Sequence, residues 1–422
     1  YVLCDFIDGI SFVTADKIAE AMDISKNDKR RIKSGIRYSL SKAALNGHTY
    51  LPESELIRYT VKQLGVSETE VVNTLINLSA DTLICVEKKE DELRYYLPSL
   101  YMAEINIARK LEKLNETVQK ECLSDELIYE IENECDITLS KRQKEALEAS
   151  LKNSVTVITG GPGTGKTTVI KSIISAMEHK EYKVTLTAPT GRAAKRISEV
   201  CGKDAATIHR LLEVTFVSGG KDRFNKNEQN PINTDMIIID EMSMVDAELF
   251  SALLNAVRSG TRLVLVGDIN QLPSVGAGNV LKDIINSDAF SCVYLDEIFR
   301  QAEQSRIVFN AHKILKGGYP EASVKSGDFF IIRKNTSEAV LSEISGLLKT
   351  RLPGYLKTEN RMAVQVLAPM KKTMLGTINF NQVLQSEINP PSKYKRERQW
   401  GKYVFREGDR VIQTKNNYDI EW

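Results

Sequence analysis

The chain has 422 residues, 42% of them hydrophobic and 27% charged, with 57 Lys and Arg against 56 Asp and Glu. At about 150 residues per domain this length predicts two to four packed domains, and the composition excludes general disorder, collagen and low-complexity classes. The balanced charge gives no whole-molecule field that would draw nucleic acid, so any such contact has to come from local charge. The longest apolar runs, around Met236–Ile239 and 263–266, fall far short of the roughly 20 residues that span a bilayer, so a membrane role would be peripheral. The opening YVLCDFIDGIS has no signal-peptide pattern. Cys4, Cys85, Cys122, Cys135, Cys201 and Cys292 form no CxxC pair. Both features predict a reduced, cytoplasmic protein with incidental thiols. Tyr1 at one end and the open, strand-like DRVIQTKNNYDIEW at the other suggest a piece of a longer product.

In chain order, residues 9–45 show helical spacing of Ile18, Ala21, Met22, Ile32, Ile36 and Leu40. Between 24 and 45 they also carry Lys26, Lys29, Arg30, Arg31, Lys33, Arg37 and Lys42 against one acid, Asp28. Such a basic face suits a phosphate backbone, and a solvated helix face accounts for it equally. A second helical unit over 56–78 breaks at GVSETEV, where Ser67 is placed to cap the next helix and Glu70 to complete a capping box. LICVEK and LRYYLP across KEDE read as a hairpin, making 51–100 a winged-helix-like module. An acidic helical stretch, 101–137, is expected to link this module to the next.

After Thr138 short strands alternate with helices: VTVI at 155–158, VTLTA at 184–188, MIIID at 236–240, RLVLVG at 262–267 and CVYL at 292–295. This alternation predicts a parallel sheet covered on both faces. A polar run between 212 and 235 reads as a surface insertion. Beyond 327, FFII, a helix over 339–348 and VQVLAP predict the opening of a second α/β lobe.

The chemistry concentrates after VTVI. GGPGTGKTT, comprising Gly160, Gly161, Pro162, Gly163, Thr164, Gly165, Lys166, Thr167 and Thr168, fits G-x-x-x-x-G-K-[ST] between a strand and a helix. Glycines let backbone amides curl around phosphates, Lys166 brings charge to the β- and γ-phosphates, and Thr167 offers a hydroxyl to magnesium. MIIIDEMSM delivers Asp240 and Glu241 at a strand end, the first suited to hold magnesium and the second to polarise water; a capped or solvated turn would also explain two adjacent acids. LVLVGDINQLPSVGAG brings Asp268 and Gln271 to the same expected edge, as γ-phosphate sensors or as a plain β-turn. YLDEIFRQ carries Arg300, either toward phosphate or in a surface pair.

In this order the motifs resemble superfamily 1 DNA helicases, and within them the RecD-like group of RecD2-type 5′-to-3′ enzymes. The likeness runs from 139 to about 306 and resumes at VLAPMKKTMLGTINFNQVLQ. It implies that Gln143 of LSKRQKEAL contacts adenine. Thr190 and Arg192 of TAPTGRAAKRI and Thr207 and His209 of ATIHRLL would lie on the DNA track, and Arg300 of LDEIFRQ would act as an arginine finger. DGISFVTADKIAEAM looks like a helix-hairpin-helix portion, within 1–50. The implied fold is α/β: a RecA-like P-loop NTPase core at 138–311 after a mostly helical N-terminal region, then an incomplete second RecA-like domain at 312–422.

The implied activity is ATP-dependent 5′-to-3′ helicase or translocase action on single-stranded DNA, or on duplex with a 5′ single-stranded tail, by a monomer without membrane contact. ATP and Mg2+ would be the cofactors, with metal at Thr167 and Asp240 and catalysis by Lys166, Glu241, Gln271 and Arg300. A TVHKSQG-like segment and a final arginine motif do not occur before Trp422. The alternatives are a DNA-dependent ATPase that does not unwind and a non-catalytic nucleic-acid-binding subunit. A lone helix histidine such as His209 is commonly a packing residue; its place after Thr207 favours DNA. No histidine has cysteine or acid partners at zinc-ligand spacing. KYKRERQWGK, with Trp400, could stack bases or form a solvated loop.

Overall fold

The computed structural model describes residues 1, 4, 10–116, 123–216, 222–297, 304–322, 327–357 and 364–412. Contacts divide the chain into two units, Tyr1–Asp328 and Phe329–Trp422. The first begins with α1 (Phe12–Ala21), capped by the Ser11 hydroxyl, and α2 (Lys29–Leu45), capped by Asp28. β1 (Tyr50–Pro52) and α3 (Glu53–Leu64) follow, and Gly65 ends α3 in the left-handed region at φ 67°. α4 (Glu68–Ala80) starts with the expected reciprocal box between Ser67 and Glu70. β2 (Cys85–Lys89) and β3 (Glu92–Tyr96) form the expected hairpin. β1 extends it to an antiparallel sheet of order β1-β3-β2, an addition that three residues ending in proline did not announce. Ile36, Leu56, Val71 and Leu78 are fully buried among these elements.

The basic face of α2 is partly committed within the module. Arg31 is buried, donating from Nε to Asp16 Oδ1 at 2.7 Å, from Nη2 to Asp16 Oδ2 at 3.1 Å, and from Nη1 to the carbonyls of Lys26 and Leu64. Arg30 pairs with Asp28 at 2.8 Å and Lys33 with Asp81 at 2.6 Å. The Arg31 guanidinium beside Asp16 holds that carboxyl below its ordinary range.

The expected linker is instead structural. α5 (Pro98–Asn115), with Pro98 in its first turn, places Ala103, Ile107, Leu111 and Leu114 at helical spacing along one stripe. That stripe enters the same core as Val155, Val157, Phe250 and Leu254. Asn106 fastens it by donating to Ser251 Oγ at 2.9 Å and Asn255 Oδ1 at 3.1 Å. α6 (Asp125–Glu134) buries Ile131 in the opposite layer with Ile158, Val169 and Ile173. The stretch 101–137 therefore contributes to both coats of the sheet, because its apolar stripes need covering as those of any amphipathic helix do.

The sheet then assembles in chain order. α7 (Lys141–Lys152), β4 (Val155–Gly160), α8 (Lys166–Glu178), β5 (Val184–Ala188), α9 (Gly191–Cys201) and β6 (Ala205–Thr207) come first. A short α10 (Ile208–Leu211) leads to a hairpin of β7 (Val214–Phe216) and β8 (Asp222–Phe224), which occupies part of the polar insertion. β9 (Met236–Ile239), α11 (Ala247–Asn255), β10 (Arg262–Gly267), α12 (Val280–Asn286), β11 (Ser291–Leu295) and α13 (Arg306–Leu315) complete the unit.

Six strands lie in the order β11-β4-β10-β9-β5-β6, every pair parallel. Alternate residues feed opposite cores: Ile237, Ile239, Leu263 and Leu265 one way, Met236, Ile238, Val264 and Val266 the other. The expected doubly covered parallel sheet is thus observed. The loop after β10 ends against the N-terminal module, where the Gly278 N–H donates to the Gly47 carbonyl at 3.0 Å.

The unit boundary differs from the expected 311/312, which would cut α13. This helix is tied to downstream residues: Asp328 Oδ1 accepts from the Arg306 N–H at 2.8 Å, and the buried Asn310 side chain exchanges two bonds with the Glu321 backbone. In the second unit α14 (Ser337–Gly346) runs into a π-turn (Leu347–Arg351) and α15 (Leu352–Leu356), followed by α16 (Thr377–Ile388). β12 (Glu397–Trp400) and β13 (Tyr403–Arg406) pair as an antiparallel hairpin, so KYKRERQWGK is partly strand rather than loop. FFII and VQVLAP, expected as strands of a second parallel sheet, are not strands. A strand persists only where a neighbour satisfies its N–H and C=O groups, and among the described residues of this unit β12 and β13 pair only with each other.

Candidate active site

The parallel register sets the site. Gly267 lies beside Thr159, Leu265 beside Ile239, and Ile239 beside Thr187. The residues that leave β4, β10, β9 and β5 consequently emerge on one carboxyl-terminal edge, where open α/β sheets hold ligands. From β4 the chain enters the glycine loop. Gly163 and Gly165 both have φ 77°, a conformation that glycine adopts without penalty. At Gly160 a Cβ would stand 2.6 Å from Thr164 Oγ1 and 2.7 Å from the Leu295 carbonyl, so the β4–β11 contact also demands glycine. Thr164 is buried and donates to the Gly161 carbonyl at 2.9 Å. Gly165 begins α8 without any side-chain cap, which leaves the helix amino end to an anion.

Lys166 turns its Nζ back on the loop, donating to the carbonyls of Gly160 at 2.6 Å and Gly161 at 3.0 Å. Burial lowers its pKa, opposed by the charges of Asp268, Glu241 and Asp240 in that order. Burial raises the Asp240 carboxyl, and the Glu241 charge adds to it. Glu241 itself sits at φ 55° and ψ 41°, a left-handed conformation rare outside glycine and concentrated at functional sites. Asp268 is buried and accepts from the Asn270 N–H at 3.0 Å. Lys166, Asp240, Glu241 and Asp268 are thus brought into one electrostatic cluster.

The remaining expected residues divide. Gln143 is buried, 1% exposed; its Oε1 accepts from the Ser140 N–H at 2.9 Å and its Nε2 reaches the Gly165 carbonyl at 3.4 Å. It therefore braces the loop and caps α7 at once. Thr167 and Thr168 lie partly exposed in the first turn of α8, and Gln271 is exposed on the loop that leaves Asp268. Thr190 and Thr207, at the ends of the neighbouring strands β5 and β6, cap α9 and α10 by accepting from the N–H groups of Ala193 and Arg210, each at 3.2 Å. Each hydroxyl keeps its own proton to donate. Arg192 is exposed in the first turn of α9, and the His209 ring lies 6.3 Å from that of Phe224, tilted against it. Arg300 lies outside the described residues. A residue that the sequence did not single out, His312 on α13, touches the loop at Gly161 and Pro162. A single histidine in NAHKILKGG carries no spacing signal.

Two family descriptions match the chain: "AAA domain" over residues 143–277 and "ATP-dependent RecD2 DNA helicase HHH domain" over residues 1–50. The ATP-dependent RecD2 DNA helicase of Deinococcus radiodurans is 34% identical over 429 residues, an alignment covering 98% of this chain and 56% of that protein. The RecBCD enzyme subunit RecD of Mycobacterium tuberculosis is 40% identical over 174 residues, covering 35% of this chain and 29% of that one. The chain thus spans about half the length of the first relative and less of the second. Among solved structures, the Pif1 helicase from Candida albicans aligns at 22% identity and a TM-score of 0.35, over 52% of this chain and 55% of that one. Fold and site define an α/β protein with a P-loop-like core behind a helical N-terminal region. In sequence it is similar to the ATP-dependent RecD2 DNA helicase along nearly its whole length and to the RecD subunit of RecBCD over about a third of it.

Proposed function

We propose that this chain is the motor-bearing part of a RecD2-type helicase, which couples ATP hydrolysis to 5′-to-3′ movement along single-stranded DNA and to strand separation. The observation that carries this reading is the meeting of the 160–168 loop with Asp240, Glu241 and Asp268 on one sheet edge. In this reading 138–311 is a RecA-like domain, and the part of the chain after it contributes to a second lobe.

The residues fit a magnesium nucleoside triphosphate. Two loop carbonyls hold the Lys166 ammonium where phosphate oxygens would replace them, the helix amino end is uncapped, and the three carboxylates of Asp240, Glu241 and Asp268 act on that ammonium. ATP supplies the phosphoryl group and Mg2+ neutralises its charge when bound. Thr167 and Asp240 would hold the metal. Glu241 would accept the proton of the attacking water, with Gln271 orienting it. Arg300 would offer positive charge to the phosphoryl group in transfer, and Gln143 would face adenine from beside the loop. Thr190, Arg192, Thr207 and His209 would grip a strand by its backbone, so that every base is tolerated. The partner would be single-stranded DNA or duplex with a 5′ single-stranded tail, met by a cytoplasmic monomer.

Lys166→Ala in the full-length protein tests the site. It removes charge from a cleft and no core packing, so ATP turnover should be abolished while the melting temperature holds. Turnover within about threefold of wild type sinks the assignment on the scale of a phosphoryl-transfer lysine. Strand displacement on a forked duplex separates a helicase from an ATPase that only moves or remodels.

A further inference from the structure

α13 approaches the glycine loop through one side chain. The His312 Cε1 lies 2.8 Å from the place where a Cβ on Gly161 would stand, and Nε2 lies 3.4 Å from the Pro162 carbonyl oxygen. Binding phosphate does not by itself call for an imidazole there. Gly161 is not in the left-handed region, unlike Gly163 and Gly165, so backbone angle does not explain why glycine stands at 161. The imidazole supplies a local reason: a Cβ at 161 would stand 2.8 Å from His312 Cε1 and force the ring to shift. The helix that carries the ring is braced independently, through Asn310 to the Glu321 backbone and through the Arg306 N–H to Asp328.

The second contact acts on orientation. Pro162 is an acceptor only, so Nε2 must carry the proton in this pair. The described chain contains no cis peptide bond. Across a planar trans peptide the carbonyl of Pro162 and the N–H of Gly163 point in opposite directions. A donor that holds the carbonyl toward α13 therefore turns the Gly163 N–H away from α13.

We infer that His312 is a positioning residue for the nucleotide: it packs on Gly161, holds the Pro162 carbonyl, and thereby presents the Gly163 N–H to the phosphates. This rests on the reading of 160–168 as a triphosphate loop. His312 touches neither the reacting atoms nor the metal ligands, so its loss acts on affinity and leaves turnover at saturation nearly unchanged.

The test uses full-length protein, Mg2+ and a fluorescent ATP analogue in equilibrium titration, with steady-state turnover alongside. His312→Phe keeps a ring and removes the donor; His312→Gln returns an N–H near the Nε2 position. His312→Phe should weaken binding about fivefold, the net worth of one neutral hydrogen bond, with turnover at saturation and melting temperature unchanged. His312→Gln should bind within about twofold of wild type, since the same bond is kept. Wild-type affinity in His312→Phe, or equal weakness in the Phe and Gln variants, overturns the inference. Should His312→Phe fail to fold, the contact is read from its other side. Gly161→Ala should bind more weakly than His312→Ala, and Gly161→Ala with His312→Ala should return to the level of His312→Ala, still short of wild type because the donor is gone; no such recovery overturns the inference. A wild-type protein that binds no more nucleotide than Lys166→Ala refutes the loop reading itself, an outcome distinct from any change at His312.

Discussion

Leu111→Ala decides whether α5 belongs to the parallel-sheet core or merely leads to it. Leu111 is 2% exposed and shares a core with Val157, Phe250 and Leu254. Truncating a leucine packed in this way removes its transfer free energy and leaves a cavity the surrounding sheet can close only in part, at a cost of about 3 kcal/mol. In the unit Tyr1–Asp328, at about 2.1 cal/mol/K of unfolding entropy per residue, that corresponds to a melting temperature lower by roughly 4–5 °C. The matched control is Met102→Ala on the same helix, where the side chain is 60% exposed and the change should stay within about 0.5 kcal/mol. Both tryptophans, Trp400 and Trp422, lie in the second unit, so their fluorescence reports the wrong part of the chain. Calorimetric melting is the assay, with hydrogen exchange at the β4 and α11 amides assigning the transition. Equal losses in the two variants would refute the packing argument and return α5 to the status of a tether.

Glu241→Gln should preserve nucleotide and magnesium binding while slowing hydrolysis by orders of magnitude, because the amide keeps the shape and loses the basicity; if affinity vanished and residual turnover held, Asp240 and Glu241 would have to exchange roles. Arg192→Ala should weaken binding to single strands and flatten its salt dependence by roughly 0.7 unit for one lost phosphate contact. Fluorescence anisotropy at graded salt reads both quantities, and an unchanged slope with unchanged affinity removes Arg192 from the strand track.

The glycine loop and the strands of the parallel sheet were legible in advance for a local reason. Gly163, Gly165 and Lys166 fulfil backbone and charge requirements within a few residues, and the apolar runs that become β4, β9 and β10 send buried residues to both cores. The capping box at Ser67 and Glu70 is equally local. What escaped the sequence depends on distant partners. The stripe Ala103, Ile107, Leu111, Leu114 announces an amphipathic helix and is silent about what it covers. Arg31 looked like part of a solvated basic face because Asp16, its partner, stands a full helix earlier. FFII has the composition of a strand, yet strand formation is a property of pairs. His312 meets Gly161 across 151 positions, a contact no spacing rule encodes.

The dual service of α5 and α6 has a consequence for how the chain can be divided. The stretch matched as an AAA domain, 143–277, contains the glycine loop, both carboxylate strands and the capping threonines. It omits α5, α6, α12, β11 and α13. Excised at those borders, it would bare Val155, Val157, Phe250 and Leu254 on one side and Ile158, Val169 and Ile173 on the other. Contiguous apolar surface of that kind drives aggregation. The span that carries the recognisable chemistry is therefore shorter than the span that can fold, and an insoluble fragment of it would say nothing against the chemistry.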